Sequence, residues 1–325
     1  MLQDSFGRRF YYLRLSVTDI CNFRCNYCLP DGYQCGESIA QENPLSVAEV
    51  GTVVRAFAAL GTEKVRLTGG EPSLRKDLPA LIETAKNTDG IRRVAITTNG
   101  YKLPSEIDAW QCAGLDQLNV SIDSLDPHQF RAITGHHKLE KILRGIDRAL
   151  ALDIPTKVNA VLLREHNLAE FNQFLDWVRV TPVSLRFIEL MRTGDNRDFF
   201  ASNHVAGSDI ENLLLRSGWT PVVRSRDAGP AKEFSHPDYA GRIGLIMPYS
   251  KDFCASCNRL RMSAQGALHL CLFAEQGIAL RDTIASGDHL ALAEQIRAAV
   301  CGKHVSHQLA SGFTGATRNL AMLGG

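Results

Sequence analysis

The chain has 325 residues, with 36 Lys+Arg against 35 Asp+Glu and a formal net charge of +1. That balance excludes bulk electrostatic binding to nucleic acid or an anionic membrane, though not a local basic pocket. At 45% hydrophobic and 22% charged, it has the composition of a folded globular protein, with length for one large domain or two ordinary ones.

The opening "MLQDSFGRRFYYLRL" holds no apolar run followed by a small-residue cleavage site. No later run is long enough to cross a bilayer. The expected location is the cytoplasm, where thiols stay reduced.

The first expected strand is "YYLRLSVT" (11–18), followed by "CNFRCNYC" (21–28). A helix is expected over "SVAEVGTVVRAFAALG", with Ser46 and Glu49 as a capping box and Gly61 as its stop. Strands then recur at "KVRLTGG" (64–70), "RVAITTNG" (93–100), "QLNVSIDS" (117–124), "TKVNAVLL" (156–163) and "VSLRFIELM" (183–191). Between the later strands, "LEKILRGIDRALALD" and "LAEFNQFLDWVR" repeat apolar residues at helical spacing. Six strands alternating with helices predict an α/β fold with a parallel sheet.

Four of those strands alternate apolar with polar or cationic residues. Leu13, Leu15 and Val17 oppose Arg14, Ser16 and Thr18; Val65 and Leu67 oppose Arg66 and Thr68; Leu118, Val120 and Ile122 oppose Asn119, Ser121 and Asp123; Val158, Ala160 and Leu162 oppose Lys157 and Asn159. A doubly wound sheet buries both faces and reads as continuous apolar runs, and a closed eight-stranded barrel fills its interior with apolar side chains. A polar inner face therefore predicts an open, incomplete (β/α)6 TIM-like barrel holding a large polar ligand. In such barrels chemistry sits at the strand ends, here "TDICNFRC", "TGGEP", "TTNG", "SIDS" and "ELM".

The texture changes after residue 192. A loop leads to a short helix over 208–217, then to short antiparallel strands at "GWTPVVRSR", "AKEFSHP" and "RIGLIMP". The expected division is 1–200 for the partial barrel and 201–325 for a C-terminal region.

Nine cysteines carry the chemical signal. Six fall in two groups, Cys21, Cys25 and Cys28 (C-x3-C-x2-C) and Cys254, Cys257 and Cys271 (C-x2-C-x13-C). Cys35, Cys112 and Cys301 stand apart and read as ordinary small residues. In a reducing compartment the groups read as metal ligands. Three thiolates can hold three irons of a cubane cluster and leave the fourth open to a substrate or cofactor. For the second group the spacing leaves two readings, an open cluster or a Cys3His zinc site completed by His269. Arg259 and Arg261 flank it, and with Arg14, Arg66 and Lys157 they make a cation surplus that asks for an anionic ligand such as a triphosphate.

"CNFRCNYC", with aromatic Tyr27 before its last cysteine, resembles the signature of the radical S-adenosylmethionine family. "TGGEP" at 68–72 resembles the family motif that meets the methionine amino group. Within that family the chain is similar, over essentially its whole length, to members that rearrange GTP early in molybdenum cofactor biosynthesis. The second cysteine group, "CNRLR" and the terminal "LGG" carry this likeness.

The resemblance implies a radical lyase with two 4Fe-4S clusters. Cys21, Cys25 and Cys28 would hold the first, and Cys254, Cys257 and Cys271 the second, on a C-terminal extension that closes the barrel opening. It assigns Tyr27, Gly70, Ser121 and Met191 to S-adenosylmethionine, and Arg14, Arg66, Thr97, Lys157, Arg259, Leu260 and Arg261 to GTP. No side chain beyond the cofactor-derived radical is implied as catalytic, with Arg259, Arg261, Gly324 and Gly325 in support. Implied partners are a flavodoxin- or ferredoxin-like electron donor and, downstream, cyclic pyranopterin monophosphate synthase; a homodimer is allowed, and no nucleic acid or membrane is expected.

Two other readings remain. A peptide-modifying radical enzyme with an auxiliary cluster would carry more C-terminal cysteines. A non-catalytic iron–sulfur electron carrier would use four cysteines per cluster.

Overall fold

The computed structural model describes residues 1–33, 43–223 and 228–315. Cys35, Gly324 and Gly325 lie outside them. All six expected barrel strands form: β1 (Tyr12–Ser16), β2 (Lys64–Thr68), β3 (Arg93–Thr98), β4 (Gln117–Ser121), β5 (Thr156–Leu162) and β6 (Ser184–Glu189). Each pairs parallel with the next. The connections carry α1 (Val47–Ala59), α2 (Leu78–Lys86), α3 (Leu103–Cys112), α4 (Pro127–Thr134), α5 (Leu139–Ala151) and α6 (Phe171–Val180).

Local chemistry sets these elements. Ser46 Oγ accepts from Glu49 N while Ser46 N donates to Glu49 Oε2 at 2.8 Å, the reciprocal cap expected for α1. Gly61 follows α1 with φ +91°, a conformation that stops the helix without a Cβ clash.

The C-terminal part extends this sheet at both edges. After α7 (Arg197–Asn203) and α8 (Gly207–Arg216) come β7 (Thr220–Pro221), β8 (Lys232–Ser235) and β9 (Arg242–Ile246). Then follow β10 (Arg259–Met262), β11 (Ala267–His269), β12 (Ile278–Ala279), α9 (Arg281–Ala285) and α10 (His289–Val300). The sheet is mixed, in the order β12-β11-β10-β1-β2-β3-β4-β5-β6-β9-β8-β7. "RIGLIMP" departs from expectation. It pairs antiparallel with β8 but parallel with β6, because strand direction depends on the path of the preceding chain rather than on composition. β10, "RLRM", is not among the expected strands; it docks parallel on β1.

Both faces of the sheet are buried. Leu13, Leu15, Val65 and Leu67 join Val50, Val53, Phe57 and Leu81 of the covering helices in one apolar core. The polar set on the opposite face is also buried, Arg14 at 9% exposure and Arg66 at 6%. In a flat sheet β10 and β6 would stand six strand intervals apart, about 28 Å. Yet β1, β2, β5, β6 and β10 all line one cavity of about 650 Å³, so the sheet is strongly curled. No described helix is long and apolar enough to cross a membrane.

Candidate functional site

The cysteine loop that follows β1 is pinned from several sides. Gly70 N donates to Thr18 O and Glu71 N to Ile20 O, both at 2.8 Å. A Cβ on Gly70 would lie 2.3 Å from Ile20 O, and one on Gly69, at φ +143°, would lie 2.2 Å from Thr18 O. Only glycine lets the end of β2 approach this closely. Glu71 is fully buried and ties β2 to β3, accepting from Thr98 Oγ1 at 2.7 Å and Asn99 N at 2.6 Å. Its burial pushes its carboxyl above the usual range, against the opposing effect of these hydrogen bonds.

The far side of the loop rests on α4 and β4. Arg24 N and Asn26 N donate to Thr134 O and Ile133 O. The Phe23 ring, between the first two cysteines, stacks on His136 at 4.4 Å, and His136 Nε2 lies 2.9 Å from Asn22 O. Tyr27 OH donates to Asp123 Oδ2 at 2.9 Å, and Val161 N donates to Asp123 Oδ1 at 2.8 Å. Burial raises Asp123 to about 6 despite these two donors.

Cys21, Cys25 and Cys28 are all free and half-buried. Burial, then Asp123, Cys28 and Cys21, pushes the Cys25 thiol well up. The open side of the loop meets Met191, which packs with Tyr27, Cys28 and Cys271 around Leu272, Phe273 and Leu309. That apolar group borders both cysteine sets.

The second set lines the 650 Å³ cavity inside the curled sheet. Cys254, Cys257 and Cys271 are free, half-buried and share its wall with Arg14, Arg66, Arg259 and Arg261. The register explains the convergence. Arg14 stands opposite Arg66 on one neighbour and Arg261 on the other, three arginines in one row across β2, β1 and β10. One pleat below, Tyr12 stands opposite Lys64 and Arg259, and Arg66 lies over its ring at 5.3 Å. Burial lowers Arg66 to about 10. Burial and then Arg259 lower Arg261 to about 10. Burial, and then Arg261, holds Arg14 well below the usual guanidinium range. Buried Arg66 Nε, Arg186 Nε and Asn159 Oδ1 have no protein partner, and all three residues line this cavity. The two guanidinium donors left unsatisfied beside crowded cations fit a polyanionic ligand.

Burial raises the Cys254 thiol, but the nearby His307 and Ser306 side chains outweigh it and bring it to about 6. Cys257 is likewise raised by burial, yet Arg259 and Lys303 bring it below the usual range. The His269 ring packs on Gly277, where a Cβ would lie 2.6 Å from Nε2, and His269 is not among the residues that line this cavity.

The remaining expected residues are distributed as follows. Ser121 ends β4, and Thr97 in β3 keeps a buried hydroxyl without a partner. Leu260 is fully buried in the core. Lys157 is bonded to Glu233 Oε1 at 3.2 Å and lines an adjoining cavity of about 950 Å³ with Lys64 and Glu233. Burial lowers it to about 8. Arg186, not singled out from the sequence, lines the 650 Å³ cavity and also reaches Glu233 Oε1 at 3.2 Å. Its signal was present: Ser184, Arg186 and Ile188 share one strand face, and Arg186 is the lone cation on it. Arg8, Lys303 and His307 were missed for a different reason, since they reach the cavity from irregular segments with no periodicity. Cys112 and Cys301 are exposed and remote in sequence from both sets.

A curled sheet with a glycine-pinned three-cysteine loop at its strand ends defines the radical SAM class. Residues 15–178 match the family model of the Radical SAM superfamily, and residues 183–309 match Molybdenum Cofactor Synthesis C. The GTP 3',8-cyclase of Aeromonas hydrophila is 54% identical, over 100% of this chain and 96% of the relative. That of Cronobacter sakazakii is 53% identical, over 100% and 99%. The crystal structure of Streptococcus suis SuiB bound to S-adenosylmethionine shares the fold, with a TM-score of 0.61 at 11% identity over 90% of this chain and 68% of that one. The chain belongs to the GTP 3',8-cyclase family of radical SAM enzymes.

Proposed function

We propose that this chain catalyses the GTP 3',8-cyclase reaction of molybdenum cofactor biosynthesis, on an incomplete (β/α)6 barrel formed by residues 1–200 and completed by a cluster-bearing region in 201–325. One observation carries the reading: the row Arg261–Arg14–Arg66 faces a cavity that also contains a second cysteine triad. A peptide substrate would not call for such a row.

Cys21, Cys25 and Cys28 would hold a 4Fe-4S cluster, with Tyr27, Gly70, Ser121 and Met191 as the S-adenosylmethionine contacts. When bound and reduced, this pair would supply a 5'-deoxyadenosyl radical able to take the ribose 3' hydrogen of GTP; closure of C3' on guanine C8, with one further electron and a proton, then gives (8S)-3',8-cyclo-7,8-dihydroguanosine 5'-triphosphate. Cys254, Cys257 and Cys271 would hold a second 4Fe-4S cluster.

The protein's own part is to bind, orient and exclude water. Arg14, Arg66 and Arg261 offer planar forks to the phosphates, and Arg259 extends that surface towards the second triad. Thr97 and Lys157 are further GTP contacts, Lys157 after partial release from Glu233. The apolar group around Leu272 and Phe273 keeps solvent from the space between the two triads. Electrons would come from a flavodoxin- or ferredoxin-like donor, and the product would pass to cyclic pyranopterin monophosphate synthase.

The test uses anaerobically reconstituted protein with S-adenosylmethionine and GTP deuterated at C3'. Deuterium should appear in 5'-deoxyadenosine as GTP is consumed. Cleavage of S-adenosylmethionine with no label transfer and no loss of GTP would refute the reading.

A further inference from the structure

We infer that Arg8, held by Asp4, is a positioning residue for the second cysteine triad. It fixes a strap, residues 303–307, that joins the triad's two halves. This inference rests on the reading of Cys254, Cys257 and Cys271 as iron ligands.

Cys254 and Cys257 lie on one loop, and Cys271 lies beyond β10 and β11. The antiparallel pairing of β10 with β11, Arg261 opposite His269, brings both parts to one end of that hairpin. The strap supplies a second link. Lys303 Nζ donates to the carbonyl of Leu270, the residue before Cys271. At the other end, the ring of His307 packs between Phe253, the residue before Cys254, and Phe273, at 5.8 and 5.6 Å.

Arg8 locks this strap in the middle. Its Nη1 donates to Val305 O at 2.7 Å and Cys254 O at 3.3 Å, and its Nη2 donates to His304 O at 2.6 Å. Nε donates to Asp4 Oδ2 at 2.6 Å. One planar guanidinium thus bridges the cysteine loop and the strap through carbonyls of both. An ammonium, a single point of charge, cannot reproduce that fork. Asp4 is itself fixed: its Oδ1 accepts from Phe6 N at 3.0 Å and Arg8 N at 2.9 Å across a turn in which Gly7 takes φ +79°. Buried Leu2 and Phe10 anchor the turn in the main core. The N-terminal ten residues therefore transmit the rigidity of the barrel to a triad some 250 residues away in sequence (254 against 8). Outer groups that orient metal ligands typically change metal affinity 10–100-fold when removed.

The experiment uses full-length protein carrying Cys25→Ala, so that iron and its electron paramagnetic resonance spectrum report the second triad alone. Into this parent go Arg8→Gln, Arg8→Lys and, as the milder perturbation, Asp4→Asn. Arg8→Gln should retain iron about tenfold less tightly than the parent against a chelator. Asp4→Asn should keep the fold, checked by circular dichroism, and shift the spectrum. Arg8→Lys should restore iron retention only in part. Parent-like iron retention and an unchanged spectrum in Arg8→Gln and Asp4→Asn would overturn the inference. A Cys25→Ala parent that binds no iron would overturn the second-cluster reading, and this inference with it.

Discussion

Replacing Gly70 with alanine isolates the contact that sets the first cysteine loop. The new Cβ would lie 2.3 Å from Ile20 O, 2.5 Å from Ile20 C and 2.6 Å from Asp19 O, where ordinary contact begins at 3.4 Å. All three obstacles are backbone, so no side chain can swing aside. The residues just before Cys21 must retreat by about 1.1 Å, the shortfall between 2.3 and 3.4 Å. That displacement breaks or lengthens the Gly70 N–Thr18 O and Glu71 N–Ile20 O bonds. Two bonds at about 0.5–1.5 kcal/mol each, with overpacking strain of about 1–3 kcal/mol, give a loss of about 2–6 kcal/mol. At about 2.1 cal/mol/K per residue this is a fall in Tm of about 3–9 °C. The functional loss should be disproportionate, because the displaced backbone carries Cys21. Circular dichroism melting, iron content and 5'-deoxyadenosine formation are the assays. A Gly70→Ala protein with wild-type Tm, full iron and undiminished S-adenosylmethionine cleavage would refute the close-approach argument.

Three further outcomes are expected. Cys21→Ala, Cys25→Ala and Cys28→Ala should each abolish 5'-deoxyadenosine formation while the second triad keeps its iron; substantial product from any of the three would remove the first-cluster assignment. Iron analysis under anaerobic conditions should approach about eight per chain for two four-iron clusters. Cys254→Ala should lose about half of it, whereas His269→Ala should keep it, since that ring packs on Gly277; stoichiometric zinc in active protein would reverse the assignment. Arg66→Ala, Arg259→Ala and Arg261→Ala should each weaken GTP binding about ten- to a hundredfold, with both clusters retained. Lys157→Ala should act in the same direction but less strongly, because Glu233 already neutralises part of its charge. Unchanged GTP affinity in all four, by equilibrium dialysis, would remove the polyanion argument.

The period-two pattern of four of the first six strands marked their place and the polar character of one face. That signal is local, since alternation within a strand decides which side chains share a side. Cysteine spacing likewise marked Cys21, Cys25 and Cys28, which share one short loop. The cap of α1 was legible for the same reason, with both partners within four residues. What the sequence could not contain was the curl that brings β10 and β6 around one cavity. Nor did it show the register that sets Arg261, Arg14 and Arg66 in a row, although those residues are up to 247 positions apart (261 against 14). The parallel docking of β9 on β6 was also hidden, since composition carries no strand direction. Glu233 intercepts Lys157 and Arg186, and Arg8 reaches the second triad from a turn with no periodic pattern. Such pairings depend on which chain segments the core forces together. Local propensity acts over a few residues, whereas burial of the apolar face acts on the whole chain and decides the rest.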